Sequence, residues 1–137
     1  MRTDVMTEQD AETAAGWVEA RNGQAFPFDC FPKTGISVYE LRTGRLLAVV
    51  SLCFLTDVPI ALLGWCTANP ANSPRESAAA IRLGVAAAGI YAQGRGAKYL
   101  MSIYGNRGVN RILDRMGFRS GDRHAEHKMI GLHSGKE

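Results

Sequence analysis

Two tracts dominate the hydrophobic pattern of this chain. The first is a nearly unbroken apolar stretch from Leu46 to Ala68, and the second is an alanine-rich segment that follows it. The apolar stretch is interrupted at Thr56-Asp57-Val58-Pro59, which divides it into two strands, Leu46 to Leu55 and Ile60 to Thr67. A looser alternation (Ile36, Val38, Leu41) predicts a strand over Ile36 to Arg42, joined to the next by a tight turn at Thr43-Gly44. Short turns make these three strands antiparallel neighbours. The near-continuous apolar character of the second and third predicts that both sheet faces are covered.

The remaining elements follow from helical spacing. Ala11, Ala14, Ala15, Trp17 and Val18 predict a helix from Glu8 to Arg21, ended by Asn22-Gly23. Three phenylalanines between Phe26 and Pro32 predict an ordered, packed loop. A loop over Asn69 to Pro74 leads into a helix from Pro74 to Gln93, with apolar faces Ala78, Ile81, Val85, Ala88 and Leu83, Ala87, Ile90. Gly94-Arg-Gly96 ends it. Lys98 to Tyr104 reads as a strand and Asn106 to Met116 as a helix with Gly117 at its C-terminal end. From Phe118 onward, with Ala125 to Leu132, one or two final strands are expected before a frayed tail, His133 to Glu137. The order predicts an α+β fold, a mixed and mostly antiparallel central sheet flanked by helices.

Composition narrows the class. The 137 residues are 46% hydrophobic and 21% charged, which suits one globular domain over residues 1–137. A net charge of +3 does not by itself imply a nucleic-acid partner. The charge is uneven: residues 1–40 carry net −4, and Glu76 is the only acid between Val58 and Leu113. A basic C-terminal portion suits an anionic ligand. Three cysteines, Cys30, Cys53 and Cys66, with no C-x-x-C spacing point away from a disulfide framework and towards a reducing, cytoplasmic location. The acidic start has no apolar h-region, so no secretory signal is expected. Neither apolar run reaches the ~18–20 residues of a membrane span.

Two motifs and the element order resemble the GNAT superfamily of acyl-CoA-dependent N-acetyltransferases, over roughly Ile36 to Leu132. The first motif is Asn106-Arg-Gly-Val-Asn-Arg-Ile-Leu-Asp-Arg-Met-Gly117-Phe118, similar to the family's Asn-led helix ending in Gly-Phe. The second is Arg75-Glu-Ser-Ala78-Ala-Ala80, standing where the family has a Gly-rich turn whose amides hold the pyrophosphate of the cofactor. The resemblance implies a GNAT-like fold and acetyl-CoA as co-substrate. It implies cofactor contacts at Cys66, Thr67, Ala68, Arg75, Ser77, Ala78, Ala79, Ala80, Asn106 and Arg111. The oxyanion donor would be a backbone amide around Trp65 to Thr67. The family's Tyr proton donor, seven residues after the Asn, is replaced here by Leu113, which leaves Tyr104 as the catalytic acid.

Departures from the pattern define a second reading. The family's first Gly is Ala78, and Ser73-Pro74-Arg75-Glu76 is a capping box that would start the helix early and put a carboxylate where phosphate should sit. These features, with Leu113, favour a catalytically inactive GNAT-like module that binds a protein or nucleic acid. In the first reading the acceptor is a small-molecule or protein amine near the Phe26–Phe31 loop. Glu40 is the only carboxylate within the strand block, and it reads as solvent-facing. Arg107, Arg111 and Arg115 form one helix ridge, suited to the CoA 3′-phosphate, an acidic partner or nucleic acid. His124 and His127 fall on opposite faces of a strand, so no metal is expected. An edge strand at the C-terminal end would suit a homodimer.

Overall fold

The computed structural model describes residues 1–23, 31–102 and 107–121. Five strands form one sheet in sequential order: β1 (Arg2–Val5), β2 (Thr34–Tyr39), β3 (Leu46–Phe54), β4 (Ile60–Ala68) and β5 (Tyr99–Ser102). All neighbours pair antiparallel except β4 and β5, which are parallel. Helix α1 (Glu8–Asn22) follows β1, α2 (Pro74–Gly94) joins β4 to β5, and α3 (Arg107–Arg115) follows β5. This is the expected α+β fold with a mostly antiparallel sheet. No helix among the described residues is long and apolar enough to cross a membrane. The final strands expected after Phe118 lie beyond the described residues, apart from Phe118 to Gly121, which form no strand.

Both faces of the sheet are covered, as the apolar runs predict. Ile36, Val38, Ala48, Val50, Leu52, Ala61, Leu63 and Cys66 pack under α2 and α3. On the opposite face, Val49 and Phe31 pack with Ala11, Ala14, Ala15 and Val18 of α1. Helix α1 is capped at one end by the Thr7 hydroxyl, which accepts from the Asp10 amide, and at the other by Gly23 in the left-handed region. Its Asp10 carboxylate accepts from the Ser37 hydroxyl at 2.8 Å and from the Tyr39 hydroxyl, tying α1 to β2. Burial, and secondarily the bond to Asp10, holds the Tyr39 phenol above its ordinary pKa, so it remains a donor at neutral pH.

Helix α2 departs from the expected faces. Ala80, Ile81, Gly84, Val85, Ala88 and Ala92 are buried, whereas Leu83 and Ile90 point outward and Ile90 is 74% exposed. Four of these six buried residues, Ala80, Gly84, Ala88 and Ala92, are small because the helix lies very close to the strands. A Cβ at Gly84 would sit 2.7 Å from Val50 Cγ2 and 3.2 Å from Val38 Cγ2. A larger apolar stripe would lift α2 away from β2 and β3. Strand β1 was not expected; its four residues are exposed and have no apolar signature, and they join the sheet through pairing with β2.

This close approach yields a prediction. Gly84→Ala should destabilise the fold by about 1–3 kcal/mol through overpacking, outweighing the gain in helix propensity. Urea unfolding measures it, and an unchanged or raised midpoint would contradict the packing.

Candidate active site

Strand β4 is the element that creates a site. Between Val50 and Leu52 of β3 there is one residue, Ser51, but between their partners Cys66 and Leu63 there are two, Gly64 and Trp65. This is a β-bulge. Ser51 fills the mismatch: its hydroxyl accepts the Trp65 amide at 2.6 Å and donates to the Trp65 carbonyl at 3.3 Å. Gly64 is required there, because a Cβ would collide with the Ser51 hydroxyl oxygen. The bulge reverses the in-and-out parity of β4. Before it, Ala61 and Leu63 face α2; after it, Cys66 and Ala68 do, while Trp65 packs on the α1 side.

The parallel pairing of β4 with β5 covers Ile60 to Leu63 against Tyr99 to Ser102. Among the described residues it ends there, and β4 runs on through Gly64–Ala68. The Asn69 amide donates to the Leu47 carbonyl at 2.9 Å. By alternation the Thr67 amide faces β3 too, and the Cys66 and Ala68 amides face the other edge. Thr67 is fully buried, and its hydroxyl accepts from the Arg21 guanidinium at 3.1 Å on the α1 side. Burial pushes the Cys66 thiol up to about 12, so it is a neutral packing group and no nucleophile.

The start of α2 is held by a network. Ser73 and Glu76 form a complete capping box: the Glu76 amide donates to Ser73 Oγ at 3.1 Å, and the Ser73 amide donates to Glu76 Oε1 at 3.0 Å. The other Glu76 oxygen accepts from Arg45 at 3.2 Å. Arg45 also donates to Glu40 at 3.3 Å and to Asn72 Oδ1 at 3.1 Å. Asn72 and Asn69 in turn donate side-chain N–H groups to the carbonyls of Leu47 and Leu46. Of the amides at this helix start, those of Ser73 and Glu76 are bonded within the box, Pro74 has none, and that of Ser77 closes the first helical turn on the Ser73 carbonyl. The Arg75 amide stands outside this network.

The predicted cofactor contacts therefore divide. Cys66 and Ala68 line the outer edge of β4 while Thr67 turns to the α1 face. Arg75 and Ser77 lie in the first turn of α2, Ala78 and Ala79 are exposed, and Ala80 is buried against the sheet. Glu40 follows the end of β2, and it is paired with Arg45 rather than turned freely to solvent. Arg107, Arg111 and Arg115 are exposed along α3, whose Val109 and Leu113 are buried. Gly117 adopts a φ of 95° and Phe118 packs back onto the core. Tyr104, Asn106, His124 and His127 lie outside the described residues, and no metal-binding group occurs among those described. Sequence reasoning missed Arg21, Arg45, Ser51 and Asn72, whose partners are distant in the chain. Gly64 inside an apolar strand was the one local signal of the bulge.

The buried thiol has a checkable consequence. Under native conditions at pH 8, iodoacetamide should label the exposed Cys53 and leave Cys66 unmodified until the chain unfolds. Peptide mass mapping reads this, and equal labelling of the two would contradict the burial of β4.

No family model and no curated protein matches the sequence. Solved structures do match in three dimensions. An acetyltransferase from Trypanosoma brucei superposes with a TM-score of 0.64 at 10% identity, covering 93% of this chain and 99% of that one. An aminoglycoside N-acetyltransferase in complex with CoA gives 0.63 at 13% identity, over 95% of this chain and 100% of that one. An aminoglycoside 6′-N-acetyltransferase from Acinetobacter haemolyticus gives 0.59 at 14% identity, over 96% of this chain and 100% of that one. At such identities the likeness speaks for architecture alone, and the chain shares the fold of these acetyltransferases.

Proposed function

We infer that the protein is an acyl-CoA-dependent N-acyltransferase, moving an acetyl group from acetyl-CoA to an amine. The observation that carries this reading is the bulged β4, which among the described residues runs past its pairing with β5 and leads through a short loop into the long helix α2. Here the amine nitrogen attacks the thioester carbonyl. A carbon–nitrogen bond forms, the carbon–sulfur bond breaks, the thiolate takes up a proton and the nitrogen loses one. The outer-edge amides of Cys66 and Ala68 pair with the pantetheine arm, and a β4 amide beside the bulge meets the developing oxyanion. Tyr104 is assigned as proton donor to the thiolate, and Asn106 and Arg111 as further contacts of the cofactor.

The start of α2 constrains this reading. A diphosphate placed there meets the Glu76 carboxylate and a helix end whose donors are largely spent. Binding therefore requires Glu76 to release the Ser73 amide, which would free Arg45 to turn its charge on the phosphates. The same closed corner is the specific observation that favours the second reading, an inactive module of the same fold. Its candidate contact surface is the exposed arginine ridge of α3.

Acetyl-CoA should raise the melting temperature of the wild type in a concentration-dependent manner. Glu76→Gln, which removes the opposing charge, should tighten binding on the order of tenfold, about 1.4 kcal/mol. If millimolar acetyl-CoA shifts neither protein, the transferase reading is wrong and the inactive module stands.

A further inference from the structure

Arg21 occupies the last turn of α1; it is exposed, and its side chain reaches across to β4. There its guanidinium donates to the Thr67 hydroxyl at 3.1 Å, a neutral acceptor on a fully buried residue. The ion pairs among the described residues involve Arg2 and Arg45, so no described carboxylate balances Arg21. A guanidinium has five N–H donors, and one bond to a hydroxyl leaves its fork able to take a carboxylate edge-on. Two residues before Thr67, on the same face, Trp65 stacks on Phe31 with ring centroids 5.7 Å apart. A positive charge that no described carboxylate balances thus stands near Trp65, on the stretch of β4 that, among the described residues, outruns its pairing with β5.

The two faces of that stretch have different duties. The side chains of Cys66 and Ala68 and the start of α2 lie on one face, and Trp65, Thr67 and Arg21 on the other. A thioester reaching the edge of β4 from the α2 side leaves the α1 side for the incoming amine. We propose that Arg21 is the specificity-determining residue for the acceptor, binding a carboxylate on it, so that the substrate is a small amino-carboxylate whose apolar carbons lie against the half-buried Trp65. Thr67 acts as a positioning residue by holding the guanidinium. This assignment rests on the acyltransferase reading and gives it a substrate class.

The test measures release of the CoA thiol from acetyl-CoA with ω-amino carboxylates of increasing chain length and with their carboxamides. The wild type should prefer a carboxylate over its carboxamide by tenfold or more in kcat/KM. Arg21→Gln should remove that preference by raising KM about tenfold for the carboxylates, with kcat and the carboxamide reaction unchanged. Arg21→Lys should restore part of the loss, because charge survives while the fork does not. Thr67→Val should raise the same KM by a smaller factor. Acetyl-CoA binding and the melting temperature of Arg21→Gln should match the wild type. Equal use of carboxylates and carboxamides, or equal loss of both in Arg21→Gln, overturns the role of Arg21 while leaving the transferase intact. Acetyl-CoA binding without turnover of any carboxylate overturns the proposed substrate class. Absence of acetyl-CoA binding removes the transferase reading itself, and the role of Arg21 with it.

Discussion

A single hydroxyl, that of Ser51, holds the mismatch on which the site depends. It satisfies both the amide and the carbonyl of Trp65 where two β4 residues oppose one on β3. A buried backbone pair left unbonded in a sheet this deeply covered would cost several kcal/mol, on the order of 1–3 for each group. With the pair satisfied, the bulge is stable, and it turns Cys66 and Ala68 towards α2 and Trp65 and Thr67 towards α1. A regular strand would send Cys66 to the α1 face and turn Trp65 and Thr67 towards α2.

The second constraint is the corner where α2 begins. Asn69 and Asn72 fasten the loop to the first residues of β3, and Arg45 draws Glu40 and Glu76 together across the β2–β3 turn. Each exposed ion pair contributes at most about 1 kcal/mol, but here they share one guanidinium with the capping box. The result positions α2 firmly and uses donors that a bound anion would otherwise find. Stability and anion binding therefore compete for the same few N–H groups. Glu76, which answers to both the Ser73 amide and Arg45, is where that competition is decided.

Much of this architecture was legible in the sequence. Alternation, turn residues and the Leu46–Ala68 tract placed three strands to within a few residues, and Ser73-Pro74-Arg75-Glu76 announced the capping box that the structure contains. The element order carried the likeness to the acetyltransferase fold. What escaped was set by distance along the chain or by backbone alone. Strand β1 has no buried side chain to reveal it. The outward turn of Leu83 and Ile90 follows from the closeness of α2 to Val38 and Val50, which a helical wheel does not contain. Arg21 and Arg45 find their partners across the fold, so no local spacing marks them. The parity change in β4 was hinted at only by Gly64.

The most direct measurement is a crystal structure grown with a non-hydrolysable acyl-CoA analogue. The two-faced β4 predicts density for the thiol arm along the Cys66–Ala68 edge on the α2 side, the acyl group at the bulge, and Glu76 turned off the Ser73 amide. A corner still closed by Ser73, Glu76 and Arg45, with β4 paired along its whole outer edge and no density beside it, would contradict the site.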